Sequence, residues 1–222
     1  MGLGLSATLT GCSDVAADDE PSARELLDRA NKAMSRLGSL TVDTTTAGAT
    51  GAPAAVTSHV TTDLKSRCRS RVDWPGGLSL EQIRIGDTDY VRPNRKYLQK
   101  WSGGKVADSA GKSWMRTPAS EAQAGDGLIP CTRKFAGFGK ATKGGATRID
   151  GTPARTLVVT TKSDEGGTYT FHVATEGKPY ILRVVYKNSK ERTTTSYSAF
   201  DAPLKVRAPD RADVVNAASG GN

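Results

Sequence analysis

The sequence predicts an α+β fold in which a strongly curved antiparallel sheet wraps around helical elements. Three observations lead there. Residues near the N-terminus repeat their apolar positions at helical spacing, nearly all of the remaining chain alternates apolar and polar residues with period two, and turn strings divide the alternating runs at hairpin distances. With 36% apolar and 6% aromatic residues in 222, the chain suits a core spread over one face of a sheet. Nothing in that length demands a second domain.

The helix is expected from Pro21 to Leu37, where Ala23, Leu26, Leu27, Ala30, Ala33, Met34 and Leu37 form one stripe. Pro21 suits a first turn and Gly38 a stop. Strands follow at Leu40 to Thr46, Val56 to Thr62 and Cys68 to Trp74, the last alternating with Arg67, Arg69, Arg71 and Asp73. One face of each is apolar and the other polar, as in antiparallel strands with a solvated side. Further strands are expected at Leu80 to Ile85, Asp89 to Arg92 and Ser113 to Arg116. Asn94 to Trp101 reads equally as a helical turn or a loop, Gly103 to Lys112 as a Gly- and Lys-rich loop, and Leu128 to Phe138 as weakly helical. In the last third, strands at Ala146 to Asp150, Ala154 to Lys162, Thr168 to Thr175, Pro179 to Lys187 and Arg192 to Phe200 are divided by DGTP, DEGG, EGKP and KNSKE.

The N-terminus reads differently. MGLGLSATLT is a short run of apolar and small residues that ends in Leu9, Thr10, Gly11 and Cys12. That string resembles the lipobox of bacterial lipoproteins, in which the cysteine receives a diacylglyceryl group before cleavage. Acyl chains bind a bilayer at roughly 0.8 kcal/mol per buried methylene, so more than one chain on Cys12 makes a stable anchor. A full signal opens with positive charge, and no Lys or Arg precedes Arg24. Residues 1–12 are therefore expected to be a truncated signal and lipobox, 13–20 a flexible acidic tether, 21–210 one domain, and 211–222 a flexible tail. No run reaches the roughly twenty apolar residues of a membrane-spanning helix.

Export also frames the other cysteines. Cys68 and Cys131 form an even pair outside any C-x-x-C motif, and a disulfide between them is expected; two buried thiols or a nucleophile are the alternatives. The net charge of +8 is uneven, with twelve Lys and Arg against six Asp and Glu from Asp63 to Arg116. Arg67, Arg69 and Arg71 project to one strand face, with Lys65 beside them if the strand begins early. That row suits either anionic lipid headgroups or a solvated outer face. No aromatic residues interleave with the arginines, which argues against nucleic acid.

Several strings taken together carry a family resemblance: LLDRANKAMSRLGSLTVDTTT, IRIGDTDYVR, GKSWMR, IDGTPARTLVV, TYTFHVATEGKPYILRVVY and FDAPLKVRAPD. The chain resembles, from about Glu20 to Asp210, the LolA-like, LppX/LprG-type exported lipoproteins of high-GC Gram-positive bacteria. The resemblance implies an unclosed antiparallel half-barrel with a helix packed in its mouth, often enclosing an apolar cavity, and for some members carriage of lipids or lipidated proteins. It places the protein on the outer face of the cell membrane. The alternation then nominates Val42, Val56, Val60, Val72, Ile83, Ile85, Leu157, Val159, Phe171, Val173, Leu182 and Val184 as residues of a concave face that either lines a cavity or forms a filled core.

Catalytic motifs are weak. SAGKS at 109–113 resembles the end of a P-loop, but Val106 stands where its first glycine belongs. Two S-x-x-K strings lack the S-D-N and K-T-G partners, there is no G-x-S-x-G, and the two histidines, His59 and His172, have no metal-ligand spacing. Neither an enzyme nor a cofactor is expected. Two functions remain open: a lipid-anchored carrier or sensor of an apolar ligand, and a surface-anchored module that docks another envelope protein, with Lys96 to Lys112 as its candidate loop.

Overall fold

The computed structural model describes residues 20–216 apart from 49–54, 103–105, 107–110, 112, 124 and 162–165. Cys12, the lipobox and most of the loop from Gly103 to Lys112 lie outside the described residues.

Helix α1 runs over Ala23–Met34, shorter at both ends than the expected Pro21 to Leu37. Its start is fixed by a capping box: the Ser22 hydroxyl accepts from the Glu25 N–H at 3.2 Å, and the Glu25 carboxylate accepts from the Ser22 N–H at 2.8 Å. These bonds, the backbone one first, hold the Glu25 carboxyl below its ordinary range. Leu27, Ala30 and Met34 are fully buried, so the helix is fastened mainly by its apolar stripe, with the cap setting where it begins.

Strands β1 (Leu40–Gly48), β2 (Val56–Thr62), β3 (Arg67–Trp74), β4 (Leu78–Ile85) and β5 (Thr88–Pro93) form a meander. Helix α2 (Arg95–Ser102) follows, so the ambiguous segment after Asn94 is helical, with the Asn94 Oδ1 accepting from the Tyr97 N–H at 2.9 Å. After β6 (Trp114–Pro118), a second meander comprises β7 (Lys140–Ile149), β8 (Thr152–Thr160), β9 (Thr168–Ala174), β10 (Ile181–Lys187) and β11 (Glu191–Ser198). The meanders join where β1 pairs with β11 and, with β12 at Val214–Asn216, give one 12-stranded sheet in the order β12-β6-β5-β4-β3-β2-β1-β11-β10-β9-β8-β7. Neighbouring strands are antiparallel, except that the short β12 (Val214–Asn216) runs parallel to β6. The sheet has two free edges and is an unclosed half-barrel of the α+β class.

Three segments depart from the sequence pattern. Leu128 to Phe138, weakly helical by spacing, contains neither helix nor strand; Gly127, Pro130, Gly137 and Gly139 deny it a continuous helix, and it runs as a strap. Strand β7 starts at Lys140, ahead of the expected Ala146, because a register shift between Lys143 and Ala146 absorbs the glycine pair that hides its alternation. Val214 to Asn216, expected in the tail, adds β12 to the sheet edge.

The main core lies between α1, the strap and the concave face: Leu27, Ala30 and Met34 pack with Leu40, Val42, Val60, Leu157, Val159, Val173 and Ile181. On the other face, Ile83 and Trp114 are covered by Val206 of the segment after β11.

Candidate functional site

The register arranges the concave face in rows. Leu40, Thr62 and Cys68 stand side by side; Val42, Val60, Ser70 and Gln82 form the next row; Thr44, Ser58, Val72 and Leu80 the third; Thr46 and Val56 follow toward the open rim. On the other side of β1 the rows continue through Tyr197, Thr195 and Thr193. The deep rows are thus buried, with Thr62, Ser70 and Gln82 set among apolar side chains, while the outer rows mix threonine and serine with buried Val72 and Leu80 and half-buried Val56.

The strap between β6 and β7 passes from one sheet edge to the other and divides this face. It is fastened first by the Cys68–Cys131 disulfide, whose Cα atoms are 5.3 Å apart. The Thr62 hydroxyl donates to the Cys131 carbonyl at 2.6 Å, and the Ile129 N–H donates to the Gln82 Oε1 at 2.8 Å. Gln82 in turn donates to Asp89, which is fully buried and paired with Arg84. Polar groups placed this deep require partners, and here they supply the seat of the strap. Beyond the disulfide, Gly137 crosses α1 so closely that a Cβ there would lie 2.7 Å from the Asp28 carboxylate.

Two cavities flank the strap. One, of about 350 Å³, opens among Thr44, Thr46, Val56, Val72, Trp74 and Ile129. The other, of about 180 Å³, lies between α1 and the sheet, walled by Phe135, Phe138, Tyr169, Phe171, Val184 and Tyr197 and reached by Asn31. Aromatic contacts stiffen its wall: Phe135 meets Tyr197 edge-on at 6.0 Å and Phe138 meets Tyr169 at 4.9 Å. Burial pushes the Tyr197 hydroxyl above its ordinary pKa, against an opposing effect of Arg133. A third and larger opening, about 470 Å³, lies outside the half-barrel among Arg29, Lys32, Arg36, Lys178, Tyr180 and Asp201.

The twelve candidate lining residues separate accordingly. Val56 and Val72 line the first cavity, Phe171 and Val184 the second. Val42, Val60, Leu157, Val159 and Val173 are buried in filled core under α1 and the strap. Ile83 and Ile85 do not belong to this face: they pair across β3 with Arg69 and Arg67, and Ile83 packs with Trp114 and Val206. Leu182 also leaves it, because a register shift between Ile181 and Arg183 turns Ile181 toward α1 and places Leu182 in a separate cluster with Ile149, Ala154 and Ala174.

The arginine row does share one face, but β3 begins at Arg67 and Lys65 sits in the preceding turn. Arg69 and Arg71 pair with Glu81, Arg71 also with Asp73, and Arg67 donates to the Val206 carbonyl at 2.9 Å. Neighbours on the outer face therefore partner all three. Trp74, Ile129, Tyr197 and Asn31 escaped the reading of the sequence. Trp74 ends the same alternation as Val72, whereas the weak helical spacing around Ile129 gives no sign that it meets the sheet. Among the described residues no group of His, Cys, Asp and Glu is placed to hold a metal, and no helix is long and apolar enough to cross a membrane.

Comparison with solved structures gives the fold its relatives. LprF from Mycobacterium bovis superposes with a TM-score of 0.53 at 15% identity, covering 84% of this chain and 96% of that one. The Mycobacterium tuberculosis lipoprotein LppX has a TM-score of 0.49 at 16% identity, covering 81% and 94%. The chain shares the fold of LprF. No family model matches it, nor does any curated protein sequence.

Proposed function

We propose that this protein is an extracytoplasmic lipoprotein, anchored through Cys12 to the outer face of the cell membrane, that binds a lipid or other hydrophobic ligand as a carrier or sensor. The observation that carries the reading is the pair of cavities on the concave face, walled by Val56, Val72 and Trp74 on one side of the strap and by Phe135, Phe171 and Tyr197 on the other. An apolar concavity with a few polar groups at its edge is the usual form of a small-molecule site. The likeness to LprF supports the architecture, and the lipobox string LTGC supports the anchor. The reading assigns no catalytic step and no cofactor.

Native mass spectrometry and organic extraction of the protein purified from its own host test this directly. A stoichiometric lipid that leaves with the organic phase is the expected result. A clean apo mass, unchanged after incubation with host lipids, would overturn it.

A second reading, a surface-anchored module for an envelope protein, draws on one observation. Trp101 on α2 is 67% exposed, and a tilted aromatic series links it through Tyr97 to Trp74. Exposed tryptophan beside Lys96 and Lys100 is a common anchor of protein interfaces. Loss of a host partner on Trp101→Ala, with ligand content unchanged, would favour this second reading.

A further inference from the structure

The arginine row of β3 is engaged by its neighbours, but a second basic group is not. Arg29, Lys32 and Arg36 follow one another at i, i+3 and i+7 on the exposed side of α1 and just past its end, opposite the stripe of Leu27, Ala30 and Met34. Among the described residues no ion pair or side-chain hydrogen bond holds any of the three. They form one wall of the opening of about 470 Å³ outside the half-barrel, and the turn between β9 and β10 supplies the other with Lys178 and Tyr180. Four cations thus face one carboxylate, Asp201, which accepts from the Gly38 N–H at 2.7 Å and stands 3.9 Å from the Lys178 ammonium. The negative end of the helix dipole favours Lys32 and Arg36 where they stand, but its effect fades within the last turn and accounts for neither Arg29 nor Lys178. Like charges gathered around one hollow repel, and an anionic partner relieves what Asp201 leaves unbalanced.

Two further observations point to a lipid surface as that partner. Tyr180 is half-buried in the groove wall with its ring stacked on Phe200 at 4.3 Å, and tyrosine with an apolar body and a polar tip is the residue type that collects at the level of lipid headgroups. The groove is also close in sequence to Cys12. The chain from Cys12 to Pro21 reaches at most about 30 Å, and α1 carries the groove only about 20 Å further. With α1 laid along a bilayer, an anchored Cys12 and the groove meet the same surface. So short a tether keeps that surface at high effective concentration, so contacts that are weak one by one suffice.

We propose that this groove seats the domain on an anionic bilayer, with Arg29, Lys32, Arg36 and Lys178 donating to the phosphate oxygens of lipid headgroups. The inference rests on the anchor at Cys12 proposed above and adds the orientation that the anchored domain takes: the outer side of α1 and the turn between β9 and β10 face the membrane. The arginines of β3, already partnered, face elsewhere and contribute little.

The test uses the full chain with Cys12→Ser, which carries no acyl group, and vesicles of phosphatidylcholine alone or mixed equally with phosphatidylglycerol. Sedimentation with the mixed vesicles only is the expected result, weakening as salt is raised. Replacing Arg29, Lys32 and Arg36 together by glutamine should cost roughly fivefold in affinity per charge, on the order of a hundredfold in all. Replacing Lys187, Lys190 and Arg192 by glutamine removes the same charge from the exposed hairpin between β10 and β11 and should leave affinity near the unsubstituted value. All these side chains are exposed, so both triple variants should melt with the parent. Equal losses in the two would show that net charge acts and not the groove, and the inference falls. It falls also if the two kinds of vesicle bind alike or not at all, or if the groove variant instead releases an acidic host protein, which would give the groove to a protein partner. None of these outcomes touches the anchor, which the tested chain lacks. That reading falls separately, if the native protein from its host carries no acyl mass at Cys12, and the vesicle result then stands without it.

Discussion

The Gln82 Oε1 accepts the Ile129 N–H at 2.8 Å, joining the middle of a sheet strand to the strap that crosses above it. The same side chain accepts from the Ser70 hydroxyl at 3.1 Å and donates to Asp89 at 2.9 Å. Replacing Gln82 by alanine therefore strands a backbone donor and removes one partner of a buried carboxylate. The expected loss is about 2–3 kcal/mol, read as a lower urea midpoint. Gln82→Glu should be worse than Gln82→Ala, since it sets a second carboxylate against Asp89.

The disulfide acts on the same strap by a different route. Cys68 and Cys131 are separated by 63 residues, and closing so long a loop removes conformational freedom mainly from the unfolded chain. Substituting both by serine should lower stability by about 4 kcal/mol on the chain-entropy account. Hydrogen exchange should rise first at Ile129 and Cys131, where the strap is fastened, and last in β8 and β9. Uniform exchange across the sheet would show that the strap is not a separate unit of stability.

These fastenings mark the limit of what the sequence made legible. Period two identified β1, β2 and β3 because their apolar residues all turn to one side, and α1 emerged from its stripe for the same reason. The parity fails where the register shifts: Leu182 lies beside such a shift, and counting outward from Val184 assigns it to the wrong side. In β4, Ser79, Leu80, Gln82 and Ile83 are all buried, so apolar residues lie on both faces and alternation cannot choose the concave one. The weak helical spacing of the strap misleads, because its backbone is held at Ile129 and Cys131 by Gln82, Thr62 and Cys68. That segment lines both cavities, through Ile129 in one and Phe135 and Phe138 in the other.

Acid should weaken the outer face through Glu81. Burial raises its pKa, but hydrogen bonds from Arg92 at 3.0 Å and Arg69 at 3.1 Å outweigh burial and hold it below the ordinary glutamate value. The folded pKa thus lies below the unfolded one. The contribution of Glu81 is complete at neutral pH, begins to fail as pH falls past the unfolded value, and is gone below the folded one. The urea midpoint of the native protein should exceed that of Glu81→Gln at neutral pH, and the gap should close as pH falls below the ordinary glutamate value. A constant gap would mean that the side chain acts by packing and not by charge.

Gly127 tests how tightly the strap is laid on the first cavity. Its φ is +81°, and a Cβ there would come within 2.9 Å of the Trp74 ring. Gly127→Ala should lose about 1–2 kcal/mol from the left-handed backbone alone. Displacement of Trp74 should add a shift in tryptophan fluorescence. An alanine variant with native stability and native emission would show that the strap yields at this point.

The cavity on the Trp74 side can be closed without touching the core, provided the right position is used. Val60 is fully buried in the row with Val42 and Ser70, so a tryptophan there overpacks the interior and reports on folding. Val56 is half-buried at the open end of the same strand, faces Thr46 across β1 and lines the cavity of about 350 Å³. Val56→Trp has space to enter that cavity, and its indole would occupy volume otherwise left to a ligand. The expected outcome is reduced uptake of an apolar fluorescent probe with an unchanged melting temperature. Uptake equal to that of the native protein would move the binding site to the Asn31 side of the strap, whereas a lower melting temperature would mean that the cavity closes in solution and the added ring has nowhere to go.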